Sequence, residues 1–228
     1  MFSNTLDNLA RQARPQRRRT SRRMRSVALG VLIVLAALAV WLATRTHIVD
    51  LGNEQQLSKS GLLQAWKDGA VLVMIRHAER CDSAPGPCLG DKSGITVAGS
   101  EAAARVGLGL QRLGVAETDV FSSPRLRTRQ TAHFLLGQEA ASQDWLKTCD
   151  PQFATEALAH KRPGHNLVLV THNGCIDFFQ RQQRVPGGER ASDYASALFV
   201  SVDGNGKARI LGRMNEPQWQ RVLASTAQ

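Results

Sequence analysis

Residues 71–80 read VLVMIRHAER, a run of five apolar residues followed at once by Arg76 and His77. A short continuous apolar run of this kind predicts a strand that is buried on both faces of a sheet. Residues 166–174, NLVLVTHNG, repeat the pattern, because a second apolar run leads directly to His172. Each of these two histidines is therefore expected just beyond the end of a buried strand.

Helical patterns separate the predicted strands. The strongest covers residues 96–113, where alanine and leucine recur on one side until Gly114 ends the pattern. Strands that alternate with helices predict an α/β fold, a three-layer α/β/α sandwich around a mainly parallel sheet. Ligands bind such sheets beyond the carboxyl ends of the strands. Further helices are expected at 58–69, 125–136, 155–160 and 174–182, and further strands at 119–122, 197–202 and 208–211, the last two paired across the turn at 203–206.

An uncharged apolar run, VALGVLIVLAALAVWLA, covers residues 27–43 and spans about 25 Å as a helix. This length predicts one N-terminal transmembrane helix before the folded domain. A cleaved signal peptide is the alternative, but the long basic region before the run and the lack of a small-x-small exit favour a retained anchor. The predicted organisation is a basic cytoplasmic tail at 1–26, the anchor at 27–44, a spacer at 45–57 and a folded domain at 58–228.

Charge is concentrated before the apolar run. Residues 1–46 hold nine of the 29 basic residues and one of the 19 acidic ones, so the net charge of the remainder is only +2. Basic residues on one side of a span remain in the cytoplasm, which predicts a single-pass protein of the inner membrane, held through residues 27–44, with its domain in the periplasm. The basic tail needs no nucleic-acid partner, and the body lacks both a dominant basic field and the aromatic residues for base stacking.

Four cysteines, an even number, lie in the part predicted to be exported. In an oxidising compartment this predicts two disulfides, for which three pairings are possible. The preferred pairing joins Cys81 to Cys88 and Cys149 to Cys175. A Cys81–Cys149 bond would indicate a different placement of the loops.

Three segments carry residues that could act in catalysis or ligand binding: Arg76-His77-Ala-Glu-Arg80, the arginine-rich stretch at 122–131, and Thr171-His172-Asn173-Gly174. Guanidinium groups match phosphate oxygens with two parallel hydrogen bonds. An imidazole is a nucleophile near neutral pH. Arginine and histidine converging on one crevice therefore predict phosphoryl transfer that needs no metal or other cofactor.

These three segments, in this order, resemble the motifs of the histidine phosphatase superfamily, the phosphoglycerate mutase-like proteins. Arg76-His77-Ala-Glu resembles the R-H-G-E signature, with Ala78 in place of glycine, and Ser122-Ser-Pro-Arg-Leu-Arg127 resembles the second motif. The resemblance implies that His77 is the nucleophile and that His172 contacts the transferred phosphoryl group. It implies that Arg76 and Arg127 complete the catalytic pocket.

A narrower resemblance is to the lipopolysaccharide core heptose(II)-phosphate phosphatases of Gram-negative bacteria. It is carried by His77-Ala-Glu-Arg-Cys-Asp82, Cys88, the run Gly94-Ile-Thr-Val97, Cys149, and Thr171-His-Asn followed by Cys175. This resemblance implies a phosphomonoesterase that acts on a phosphorylated sugar of the cell envelope, such as lipopolysaccharide core heptose phosphate. Arg80 and Asn173, close to the two histidines, are expected to bind the substrate.

The proton donor for the leaving group is not evident from the motifs. The candidate general acids are Asp150, Glu156 and Glu79, in that order, since Asn173 occupies the position where one branch of the superfamily has an aspartate. A catalytically inactive module that binds a phosphorylated glycan is therefore an alternative. A mutase or a protein phosphohistidine phosphatase is another, although an exported domain has poor access to cytoplasmic substrates.

Overall fold

The computed structural model describes residues 16–114 and 117–225, and side chains from residue 24 to residue 220. Residues 1–15 of the predicted basic tail lie outside the described residues. The chain divides between Arg45 and Thr46 into two compact units. The first unit contains helix α1 (Gln16–Ala43), whose segment Met24–Ala43 has a mean hydropathy of 2.6 and no buried residue. This segment is long and apolar enough to anchor the chain in a membrane.

The second unit is an α/β/α sandwich. Its elements, in chain order, are α2 (Glu54–Ser60), α3 (Leu62–Lys67), β1 (Val71–Arg76), α4 (Val97–Leu113), β2 (Thr118–Ser122), α5 (Leu126–Leu136), β3 (Ala141–Ser142), α6 (Phe153–Ala159), β4 (Asn166–Thr171), α7 (Asn173–Gln182), β5 (Ala197–Val202), β6 (Ala208–Met214) and α8 (Glu216–Ser225). The described strands form one sheet in the order β3-β2-β4-β1-β5-β6. The first four strands are parallel, and β5 and β6 are antiparallel to their neighbours.

Strand β1 shows why the sheet carries a core on each face. Val73 and Ile75 point into one hydrophobic cluster, which also holds Trp66 of α3, and Met74 points into the other. Side chains alternate across a strand, so a continuous apolar run can face two layers at once. The predicted three-layer sandwich is therefore confirmed, and so is the hairpin of β5 and β6.

The start of the domain differs from the prediction. The single helix expected at 58–69 is two helices, α2 and α3, separated by Gly61 with φ 78°. The first begins earlier, because Asn53 caps it by accepting a hydrogen bond from the backbone of Gln56. Leu51 has no exposed surface, so part of the segment expected as a spacer belongs to the core.

Both predicted disulfides are present. Cys81–Cys88, called here the first disulfide, joins residues seven positions apart. Cys149–Cys175, the second disulfide, joins residues 26 positions apart. Each has one partner a few residues beyond one of the two motif histidines. The first disulfide ties down the loop that follows β1, and the second joins the first turn of α7, directly after β4, to the segment before α6.

Candidate active site

The register of the parallel strands brings the three predicted segments together. Arg76 at the end of β1 pairs with Thr171 at the end of β4, and the His77 amide donates to the Thr171 carbonyl at 2.9 Å. On the other side of β4, the Ser123 amide donates to the carbonyl of Val170 at 3.0 Å. The first residues beyond three adjacent strands therefore share one edge of the sheet.

His77 has a defined tautomer. Its Nδ1 lies 2.9 Å from the carbonyl oxygen of Ala78, which only accepts hydrogen bonds, so Nδ1 carries the proton and Nε2 has a free lone pair. The side chain is buried, and burial lowers its pKa to about 3, with the charges of Arg127 and Arg76 acting in the same direction. The imidazole is therefore neutral near pH 7, which is the form that can act as a nucleophile.

His172 lies beside it, with the two ring centroids 5.5 Å apart. The guanidinium of Arg127, which only donates, reaches His172 Nδ1 at 3.4 Å, so the opposite nitrogen, Nε2, carries the proton and donates to Ser123 Oγ at 2.9 Å. Burial, followed by the charge of Arg127, lowers the pKa of His172 to about 4. Both imidazoles are thus neutral within a cationic pocket.

Two guanidinium groups line the pocket with unused donors. Arg76 donates to the Ser192 carbonyl through Nη1, and its central carbon lies 3.9 Å from the ring centroid of Tyr194. The Nε atoms of Arg76 and Arg127 are buried and have no acceptor among the described residues. Burial lowers the pKa of both groups, but guanidinium remains charged at any physiological pH. A bound anion would satisfy these donors, whose isolation is otherwise unfavourable.

Comparisons with known proteins agree with this geometry. The chain is 31% identical over 176 residues to the lipopolysaccharide core heptose(II)-phosphate phosphatase of Escherichia coli K12, which covers 75% of this chain and 86% of the relative. The corresponding protein of Escherichia coli O139:H28 is 32% identical over 175 residues. This chain belongs to the same family, within the histidine phosphatase superfamily. No protein-family model matches the sequence.

A solved structure supports the fold. The protein histidine phosphatase SixA, complexed with tungstate, superposes with a TM-score of 0.52 at 18% identity, over 64% of this chain and 97% of that one. The protein described here is therefore a phosphatase with a histidine phosphatase fold. Among its described residues, no three His, Cys, Asp or Glu side chains form a group that could hold a metal ion.

The phosphatase places the two predicted substrate-binding residues near its catalytic motifs. Arg80 forms two hydrogen bonds with the carboxylate of Asp82, one of them 2.8 Å long, and its charge contributes to the lowered pKa of His172. Asn173 is the first residue of α7 and is exposed next to His172. The charge of Arg80 therefore acts on His172 even though the Arg80 side chain is paired with Asp82.

Two of the three candidate acids have hydrogen-bond partners away from the imidazoles. Glu79 accepts a hydrogen bond of 2.9 Å from Thr96, the residue that caps α4. Asp150 accepts from the backbone of Gln152 in the turn before α6, and Glu156 is exposed on that helix. Among the described residues, no hydrogen bond or ion pair joins any of these three carboxylates to either imidazole.

Two residues beside the histidines were not predicted from the sequence as site residues. Ser123, within the second motif, holds the ring of His172. Tyr194 lies in the loop before β5, and its ring centroid is 5.7 Å from that of His77. Its position follows from the sheet, because β5 runs antiparallel to β1 and pairs Ala197 with Ile75. The start of β5 therefore lies beside the end of β1, which the sequence alone does not reveal.

Proposed function

We propose that this phosphatase hydrolyses phosphate monoesters through a phosphohistidine formed at His77 Nε2. The observation that carries the proposal is the tautomer of His77: its Nδ1 proton is held by the Ala78 carbonyl, which leaves Nε2 unprotonated. Attack by Nε2 on phosphorus forms the N–P bond and breaks the bond to the leaving oxygen. A water molecule then attacks the phosphohistidine, releases inorganic phosphate and restores the neutral imidazole.

The arginines stabilise the transferred group in this proposal. Arg76 and Arg127 each have a buried Nε–H with no acceptor among the described residues, together with a planar fork of donors that suits the oxygens of a phosphoryl group. His172 lies 5.5 Å from His77 between ring centroids, and it would contact the phosphoryl oxygens when its Nε2–H turns from Ser123 Oγ to the bound group. Such fixed donors act most strongly in a pocket that excludes water.

The substrate we propose is a phosphorylated sugar of the lipopolysaccharide core, as in the named relatives. Arg80 and Asn173 would bind the parts of this substrate that extend beyond the transferred phosphate. The location we propose is the periplasmic face of the inner membrane, with α1 as a retained single-pass anchor and the basic tail in the cytoplasm. Two disulfides are consistent with an oxidising compartment.

The test of the nucleophile uses the full chain in detergent and a phosphate ester labelled on phosphorus. Wild-type protein quenched during turnover should carry acid-labile label, and His77→Ala should carry none and lose turnover. His133→Ala is the matched control, because this exposed imidazole pairs with Glu139 on the surface. Retention of the label in His77→Ala would refute the assignment.

The substrate is tested separately by phosphate release. The full chain should release phosphate faster from lipopolysaccharide core fragments that carry heptose phosphate than from simple sugar phosphates at equal concentration. Equal rates on both would contradict the proposed substrate while leaving the phosphohistidine mechanism intact. The first comparison thus concerns the reaction, and the second concerns specificity.

A further inference from the structure

The leaving alkoxide of a sugar phosphate needs a proton, and among the described residues none of the candidate carboxylates is joined to His77 or His172 by a hydrogen bond or ion pair. Tyr194 is the one tyrosine in the sequence, and it lies in the pocket. Its ring is 5.7 Å from that of His77 between centroids, and the Arg76 guanidinium packs on its face at 3.9 Å. A tyrosine hydroxyl is one of the groups that can serve as a general acid.

Tyr194 lies in a cationic environment. The Arg76 guanidinium packs on its ring, and the charges of Arg76, Arg80 and Arg127 are close enough to interact with it. The Tyr194 hydroxyl donates no hydrogen bond to another of the described residues, so its hydrogen is available to an acceptor on a ligand. A phosphate ester held by the same arginines would present its oxygens to that hydrogen.

The backbone around Tyr194 is held in an unfavourable conformation. Ala195 is buried and has φ 55°, in the left-handed region that residues with a side chain rarely adopt. The loop is fixed to the site on both sides, because the Ala195 amide donates to the His77 carbonyl at 3.4 Å and the Arg76 amide donates to the Ser196 carbonyl at 3.1 Å. Such strain persists where the surrounding structure imposes it, often at active sites.

Resting on the phosphohistidine mechanism above, we propose that Tyr194 is the proton donor to the leaving group. As His77 Nε2 bonds to phosphorus, the ester P–O bond breaks, and the leaving oxygen takes the Tyr194 hydroxyl proton. The phenolate that results faces Arg76. In the second step, water attacks phosphorus, the N–P bond breaks, and the phenolate takes a proton from that water. Both side chains return to their starting forms.

The test compares substrates that differ in their need for a proton. With the full chain in detergent, Tyr194→Phe should lower kcat/KM for an alkyl ester, glycerol phosphate, by about 100-fold. The same variant should change kcat/KM little for nitrophenyl phosphate, whose leaving group needs almost no protonation. The control is Ser201→Ala, which removes a hydroxyl near the far end of β5, where it donates to the Arg209 carbonyl. This control should match the wild type on both esters.

Equal losses on both esters, or no loss on either, would overturn the proposal. Absence of labelled phosphohistidine in the wild type would instead refute the mechanism on which it rests. A second test avoids substitution altogether: growth on 3-fluorotyrosine modifies Tyr194 alone, because the chain has a single tyrosine. Fluorine makes the phenol more acidic, so the loss of glycerol phosphate turnover at high pH should move to lower pH. An unchanged pH profile would also overturn the proposal.

Discussion

The neutral state of His77 can be tested through folding stability. The structure holds this imidazole buried, and its pKa is lowered from 6.5 to about 3, chiefly by burial. In the unfolded chain the same group takes up a proton as the pH falls below 6.5. The stability that the neutral form confers is therefore present above pH 6.5 and is lost progressively as the pH falls toward 3.

The magnitude follows from the two pKa values. At about pH 5 the unfolded imidazole is protonated and the folded one is not, so the difference is about 1.5 pKa units, or about 2 kcal/mol. This figure depends only on the ordinary pKa, because the lowered pKa of His77 lies well below pH 5. His77→Asn removes the titrating group, and its side-chain amide can still donate to the Ala78 carbonyl.

The measurement is urea unfolding of the full chain in detergent, followed by tryptophan fluorescence, at about pH 7.5 and about pH 5. Between these two values the wild type should lose about 2 kcal/mol more of its unfolding free energy than His77→Asn loses. His172 titrates in both proteins, so its contribution cancels in the comparison. An equal pH dependence of the two proteins would refute the claim that burial keeps His77 neutral.

Three further outcomes are expected. Replacing both cysteines of the second disulfide, which spans 26 positions, should lower the unfolding free energy by about 3.5 kcal/mol, and replacing those of the first, which spans seven, by about 2.4 kcal/mol. The second costs more because closing a longer loop restricts the unfolded chain more. Equal losses of unfolding free energy in urea would contradict this. Arg127→Lys keeps the charge but removes the fork of donors, so kcat should fall about 100-fold, whereas Arg129→Lys on the exposed face of the same helix should not alter it. A reporter that is active only in the periplasm should be active when fused after Gln228, and activity of a strictly cytoplasmic reporter there would contradict the proposed topology.

The parts of the fold that the sequence predicted are those with a strong local signal. The continuous apolar runs of β1 and β4 and the periodic pattern of α4 leave little choice of element. Helix α8 was not predicted, because its pattern is short and its place depends on packing. Trp219 of this helix has no exposed surface, and a Cβ at Gly109 would lie 2.0 Å from its ring. Glycine in α4 thus makes room for a helix distant in sequence.

The site residues, like the elements of the fold, were predicted where the local sequence signal is strong and missed where it is weak. The three motifs predicted which arginines and histidines converge, because each motif comes directly after a strand of one parallel sheet. Tyr194 lies in a polar loop with no motif, and only the antiparallel pairing of β5 with β1 brings it to His77. The hydrogen bonds of Glu79 and Asp150 and the exposure of Glu156 likewise depend on the folded structure, which no local sequence pattern encodes.

The environment of His77 opposes protonation, yet the proposed reaction makes its ring cationic. Burial and the nearby charges of Arg127 and Arg76 all disfavour an added proton, because a proton brings positive charge and no anion. A phosphoryl group brings two negative charges to the same nitrogen, and the charges of Arg76 and Arg127 that disfavour a proton there attract this anion. The same pocket can therefore keep His77 unprotonated and still stabilise its phosphorylated form. This difference between the two cationic states makes the site suited to phosphoryl transfer rather than to proton transfer at His77.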